Sequence, residues 1–160
     1  MKKLTSILIA LLLVPGYVIA DPTLDEDTVK AISQEFTQAM KNGDMSVFEK
    51  YMYPGSKIVV DMDPSNSSGQ VDISYDQFMQ LTEMAIGLME DAEIHEEVIS
   101  VTVDEKSNQA TIKEKTSATI EMMGMKMRDV SIATTTYGVI DGQIKVLSTE
   151  DQLISSGPVE

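Results

Sequence analysis

ISVTVDEKSNQATIKEKTSATIEMMGMKMRDVSIATTTYGVIDGQIKVLS, residues 99–148, decides how this chain folds. Its apolar residues recur every second position, the period of a half-buried strand. Ile99, Val101 and Val103 alternate with Ser100 and Thr102, and Asp104 to Asn108 turns the chain. Ile112, Thr116, Ala118, Ile120 and Met122 then alternate with Lys113, Lys115, Ser117, Thr119 and Glu121. A three-residue loop at Gly124-Met125-Lys126 would pair Ile120 with Val130 and Ala118 with Ile132, apolar with apolar. The apolar phase shifts between Ile132 and Tyr137, which predicts a bulge near Thr134 to Thr136. Asp141-Gly142 is a strong hairpin signal, and Gln143 to Ser148 returns. The stretch is a meander of long antiparallel strands.

Upstream of Ala92 the period is helical. Val29, Ile32, Phe36, Ala39 and Met40 make one stripe of a helix over Leu24 to Asn42, with acids crowding its start and Gly43 placed for a left-handed stop. Asp44 caps a short second helix carrying Val47, Phe48, Tyr51 and Met52. Lys57 to Met62 reads as a strand, and Asp63 to Gln70 as a polar loop. Ser74 and Gln77 form a capping box, and Ile73 and Phe78 stand at the positions of a hydrophobic staple. Phe78, Leu81, Ala85, Leu88 and Met89 are the expected face of the helix that follows. Helices then strands predict an α+β architecture, with the helices packed on one face of a strongly bent antiparallel sheet.

The first 20 residues have the three parts of a signal peptide. Lys2 and Lys3 are the positive region, Leu4 to Val14 the apolar run, and Val18-Ile19-Ala20 the cleavage site after the break at Pro15-Gly16. The apolar run is shorter than the roughly 20 residues a bilayer span needs. The expectation is therefore export to the periplasm or beyond, a cleaved segment 1–20, and one domain over 21–160 that is free of the membrane. The absence of cysteine excludes a lipid-modified cysteine at the new N-terminus, and a chain of this size does not depend on disulfides. The formal net charge is −14, and losing Lys2 and Lys3 makes it two units more negative. Such a surface repels nucleic acid and anionic lipid headgroups.

The chain resembles the nuclear transport factor 2-like superfamily, which includes the SnoaL-like and ketosteroid isomerase-like proteins. Three features carry the likeness. One is the amphipathic helix leading into Lys41-Asn42-Gly43-Asp44-Met45 and on to Tyr51-Met52-Tyr53-Pro54. The others are the capped helix after the first strand and Asp141-Gly142-Gln143-Ile144-Lys145-Val146-Leu147. Many members carry a tryptophan where this chain has Ile144. The resemblance implies a cystatin-like cone with an apolar pocket between sheet and helices, and often a homodimer. It implies no single activity.

That pocket would be lined by Phe36, Met40, Phe48, Tyr51, Phe78, Leu81, Ala85, Ile99, Ala118 and Ile132, and would hold an apolar small molecule without a cofactor. A proton-transfer enzyme is the alternative. His95, the only histidine, falls by strand parity on the face of Ile99, Val101 and Val103, in a row with Ala118 and Ile132. There it would work with Asp61, Tyr51 or Tyr137. The plainer reading is a surface histidine among Glu93, Glu96 and Glu97.

A third possibility is soft-metal binding. Met123 would face Met127 with Met125 at the hairpin tip, and thioethers suit Cu(I). Twelve methionines spread along the chain make adaptable packing the competing explanation. Asp61, Asp63, Ser65, Ser67, Gly69 and Asp72 have calcium-loop spacing. Asn66 replaces the loop glycine, however, and the flanks read as strands. Asn66-Ser67-Ser68 fits a glycosylation acceptor. The expected outer sheet face, with Lys113, Lys115, Ser117, Thr119, Glu121 and Met123, lacks the apolar core of an obligate interface. A monomer or a weak homodimer is expected.

Expressed in an exporting bacterial host, the mature protein is expected to begin near Asp21. N-terminal sequencing of the secreted or periplasmic fraction checks this, and an intact Met1 in that fraction would refute it.

Overall fold

The computed structural model describes residues 22–61, 69–89, 91–122 and 124–159, with the side chain of Met122 left aside. The signal segment 1–20, most of the loop read as calcium-like, the acceptor Asn66 and the hairpin residue Met123 lie outside them. Among the described residues three helices and six strands follow in the order α1 (Glu26–Asn42), α2 (Met45–Tyr51), β1 (Lys57–Asp61), β2 (Gln70–Ile73), α3 (Tyr75–Met89), β3 (Glu93–Asp104), β4 (Gln109–Met122), β5 (Met125–Ile140) and β6 (Gln143–Pro158). The strands form one curved, unclosed sheet in the order β2-β1-β6-β5-β4-β3. No described helix is long and apolar enough to cross a membrane.

Helix boundaries fall where local chemistry puts them. The Asp25 carboxylate accepts from the Thr28 N–H at 2.7 Å, and Gly43 ends α1 at φ 70°. The Asp44 carboxylate accepts from the Ser46 N–H and starts α2. Ser74 and Gln77 exchange the two bonds of the capping box, at 2.9 and 3.2 Å. The core lies between α1, α2 and the concave sheet face, with Val29, Ile32, Tyr51, Met52, Ile58, Ile112, Tyr137 and Val146 buried. Ser56 donates its hydroxyl to the Val146 carbonyl at 2.7 Å, pinning the turn before β1 to β6.

Four features depart from the sequence reading. The sheet is mixed, because β1 runs parallel to β6. The segment expected to end in loop at Gln70 enters a short strand, β2, which pairs with β1. β6 continues ten residues past Ser148, and its end pairs with β5 as far as Met127↔Pro158. Backbone hydrogen bonds do not depend on side-chain alternation, so the segment Thr149 to Ser156, polar but for the adjacent Leu153 and Ile154, pairs along β5 without showing a strand pattern. Helix α3 is rotated from its expected face: Thr82 is buried while Leu81, Met84 and Leu88 are about half exposed or more. Apolar residues lie all round α3, so periodicity cannot choose a face. The tilted ring contact of Phe78 with Phe48, centroids 6.4 Å apart, accompanies the observed rotation.

Two register features decide what the sheet presents inward. Met122 pairs with Met125, so two residues rather than three separate β4 from β5, and Gly124 adopts φ 76°. Ile120 therefore faces Met127 and Ala118 faces Asp129, not Val130 and Ile132. A shift of three positions is odd, and an odd shift exchanges the two faces. Ile132 thus pairs with Lys115 on the convex side. In β3 the pairing slips between Val98 and Ser100, leaving Ile99 as the extra residue of a bulge. Along β5 the pairing with β4 is continuous. The irregularity expected near Thr134 to Thr136 appears instead against β6, between Thr136 and Tyr137. Asp141 (φ 52°) and Gly142 (φ 73°) close the last hairpin as the sequence indicates.

Ser74→Ala removes one half of the capping box and leaves the fold intact. Urea denaturation is expected to show a loss of about 1 kcal/mol with an unchanged m-value, while no loss would show that α3 is held by packing alone.

Candidate functional site

Between the helices and the concave face lies a cavity of about 310 Å³. Small-molecule sites run from roughly 300 to 1,000 Å³, which places it at the lower end. Its helical wall is mainly apolar: Phe36 and Met40 from α1, Phe48 from α2, Met52 just after it, and Phe78 and Met89 from α3, with Ser33 and Thr37 of α1 as the polar members. The Phe36 and Phe48 rings meet at 5.0 Å, inclined by 57°, and hold that wall together.

The sheet wall sets polar groups among apolar ones such as Ile58, Val60, Ile94 and Val146, and strand pairing builds the polar groups in rows. Ile112, Thr135 and Thr149 form one row, with the two threonine hydroxyls 3.0 Å apart. In the next row Glu114 pairs with Ala133, and Ala133 with Asp151. Two strand spacings separate the backbones of these acids, roughly 10 Å, and both side chains share the concave face. Only the Cβ of Ala133 stands between them.

Glu114 is 8% exposed and accepts a hydrogen bond from the Ser33 hydroxyl at 2.5 Å. Burial raises its pKa above the ordinary carboxylate value, the Ser33 bond opposes this, and nearby Glu96 adds to the rise. Asp151 is raised too, by burial, against a hydrogen bond from Ser131. Its Oδ1 is buried with no partner among the described residues. Tyr137, 2% exposed, closes one side of the cavity, and burial pushes its phenol far up. At the rim the Thr37 hydroxyl donates to Glu96 at 2.5 Å.

Of the expected pocket residues, Phe36, Met40, Phe48, Phe78 and Ala118 line this cavity. Leu81 and Ile99 do not; they are 49% and 48% exposed, placed outward by the rotation of α3 and the bulge in β3. Ile132 is displaced by the hairpin register. Ala85 is half-buried on α3 and does not line the cavity. Tyr51 is buried in the core, and its hydroxyl donates to Glu35 at 2.9 Å.

The expected proton-transfer set is not assembled around His95. Because of the bulge at Ile99, His95 pairs with Ser117 and is exposed on the convex face, not beside Ala118. Asp61 is buried at the end of β1, outside the cavity lining, and Tyr137 alone of the suggested partners reaches the cavity. The expected facing of Met123 and Met127 gives way to Ile120 opposite Met127; Met125 is exposed, and Met123 is outside the described residues. Among the described residues no group of three or more histidines and acids is placed to hold a metal ion.

Glu114 and Asp151 are not among the residues the sequence singles out. Glu114 leaves a signal: it is a carboxylate in the apolar phase of β4, between Ile112 and Thr116. Asp151 leaves none, because it lies beyond the last alternating residue of β6.

No family model and no curated protein matches this chain. Solved structures do. A nuclear transport factor 2-like protein from Cytophaga hutchinsonii superposes with a TM-score of 0.59 at 11% identity, over 82% of this chain and 100% of that one. A putative scytalone dehydratase from Novosphingobium aromaticivorans gives 0.64 at 9%, over 84% and 87%. An uncharacterised protein with a cystatin-like fold from Caulobacter vibrioides gives 0.61 at 14%, over 81% and 89%. The chain has the nuclear transport factor 2-like cone fold, and at these identities the likeness is one of fold.

The raised carboxyls make a stability prediction. A carboxyl whose pKa is higher folded than unfolded destabilises the fold once pH passes its ordinary value, 4.5 for Glu114, and has no such effect below it. Glu114→Gln keeps an acceptor for Ser33 and removes the ionisation. Its melting temperature is expected to exceed that of the parent by a few degrees near pH 7–8, on the order set by a gain of about 1 kcal/mol, with the gap closing as pH falls toward 4. A gap that is constant with pH would show that Glu114 is not raised.

Proposed function

We propose that this chain is an exported small-molecule-binding domain whose ligand occupies the cavity between the helices and the concave sheet. One observation carries the reading. An aromatic and thioether wall faces polar groups on the inner face of the sheet, with Glu114 and Tyr137 buried and Asp151, Thr135 and Thr149 half-buried beside them. A core built only for stability does not leave two acids on its inner face, because burying a carboxyl costs free energy that an apolar residue would not. The apolar wall supplies affinity through burial at roughly 25 cal/mol per Å², and the polar row orients the ligand.

A second reading has its own support. Two carboxyls held above the ordinary range in a shielded cavity are suited to general acid–base work near neutral pH. In that case Glu114 or Asp151, not His95, moves the proton, and their isosteric amides would abolish turnover while retaining binding.

Native mass spectrometry of the protein purified from its own host is the direct test of binding. A bound small molecule is expected, and Ala118→Leu, which fills the cavity from the sheet side, is expected to lose it at least tenfold while melting no lower than the parent by more than a few degrees. Equal loading of parent and variant would place the ligand elsewhere and overturn the reading.

A further inference from the structure

The hydrogen-bonding groups around the cavity are one-sided. Its lining includes three carboxylates, Glu96, Glu114 and Asp151, and the hydroxyls of Ser33, Thr37, Thr116, Thr135, Thr149 and Tyr137. Among the described lining residues there is no Lys, Arg, His, Asn or Gln. The site therefore presents acceptors and negative charge with no fixed cationic or amide donor to meet a ligand anion. Carboxylate and phosphate ligands are disfavoured twice, by the local acids and by the chain's net charge of −14.

The acids also differ in what they lack. Glu114 already has the Ser33 hydroxyl. Asp151 has a buried Oδ1 without a partner among the described residues. Ala133, between them in the same row, is small enough to leave a niche over its Cβ. Across the cavity stand Phe36, Phe48 and Phe78, whose faces attract cations as well as apolar groups.

Resting on the small-molecule reading above, we propose that the ligand is a protonated amine with an apolar body, its ammonium seated over Ala133 between Asp151 and Glu114. The ammonium donates to the open Asp151 oxygen and offsets the cost of holding two ionised carboxyls out of water. Both acids stand above the ordinary carboxylate range without it, as expected of groups that lack a countercharge. The hydrocarbon body lies against Phe36, Phe48, Phe78, Met40 and Met89. An alcohol of the same shape keeps the apolar contacts and one hydrogen bond but brings no charge. A carboxylate of the same shape brings the wrong one.

The test is isothermal titration of the purified protein at pH 7 with 2-phenylethylamine, 2-phenylethanol and phenylacetate. These share an aromatic body and differ in charge. The amine is expected to bind at least tenfold more tightly than the alcohol, with phenylacetate weakest. Asp151→Asn is expected to weaken the amine at least tenfold and to leave the alcohol within about twofold. Alcohol binding equal to amine binding, or an Asp151→Asn variant that weakens both alike, overturns the amine inference and leaves the small-molecule reading standing. Failure of all three probes to bind the parent, with no bound molecule in the native mass spectrum, overturns both. The comparison of probes on the parent chain decides the matter even if the variant does not fold.

Discussion

The row Glu114–Ala133–Asp151 exists because β4, β5 and β6 pair in one register and no other. Each strand contributes one residue, and each residue faces inward only because of how its strand meets the next. The connection of two residues after Met122 sets the phase of β5 against β4. The irregularities between Thr136 and Tyr137 and between Val130 and Ser131 set β6 against β5. Slipping the first by one position would turn Ala133 and Thr135 outward and bring Ile132 and Thr134 in, and the polar wall would be lost.

This register puts small and polar residues where a core would ordinarily carry large apolar ones. Thr135, Ala133 and Ser131 are the inward positions of β5, and the larger Ile132 and Val130 are outward. The consequence is a thinly packed inner face, with volume left between sheet and helices, and carboxyls that pay for their burial in raised pKa. Burial of this kind lowers stability and is retained where it serves a site. The helices meet that face with aromatic rings and thioethers, and the acids and hydroxyls of β4, β5 and β6 opposite them give the cavity its chemical character.

The convex face is the other product of the same parity. The bulge at Ile99 moves His95 onto it, in a row with Ser117, and the hairpin register moves Ile132 to join Lys115 there. Residues that the alternating pattern assigned to the interior thus lie among lysines and hydroxyls, and the only histidine is removed from the cavity by one extra residue in one strand.

By itself the sequence determined the end of α1, the starts of α2 and α3, the last turn and the α+β class. Gly43, Asp44 and the Ser74–Gln77 pair act through hydrogen bonds to backbone within a few residues, and Asp141-Gly142 through backbone angles that few residues adopt. The apolar stripes of α1 and α2 needed only the helical period, so Phe36, Met40 and Phe48 were legible as residues of the inner face. Only the tertiary structure decided the parallel pairing of β1 with β6, the reach of β6 to Pro158, the rotation of α3 and the inward placement of Glu114 and Asp151. Each of these depends on which backbone groups meet across the sheet or which rings meet between helices. Residues far apart in the chain settle that together, and a period-two pattern is the same whichever neighbour it is read against.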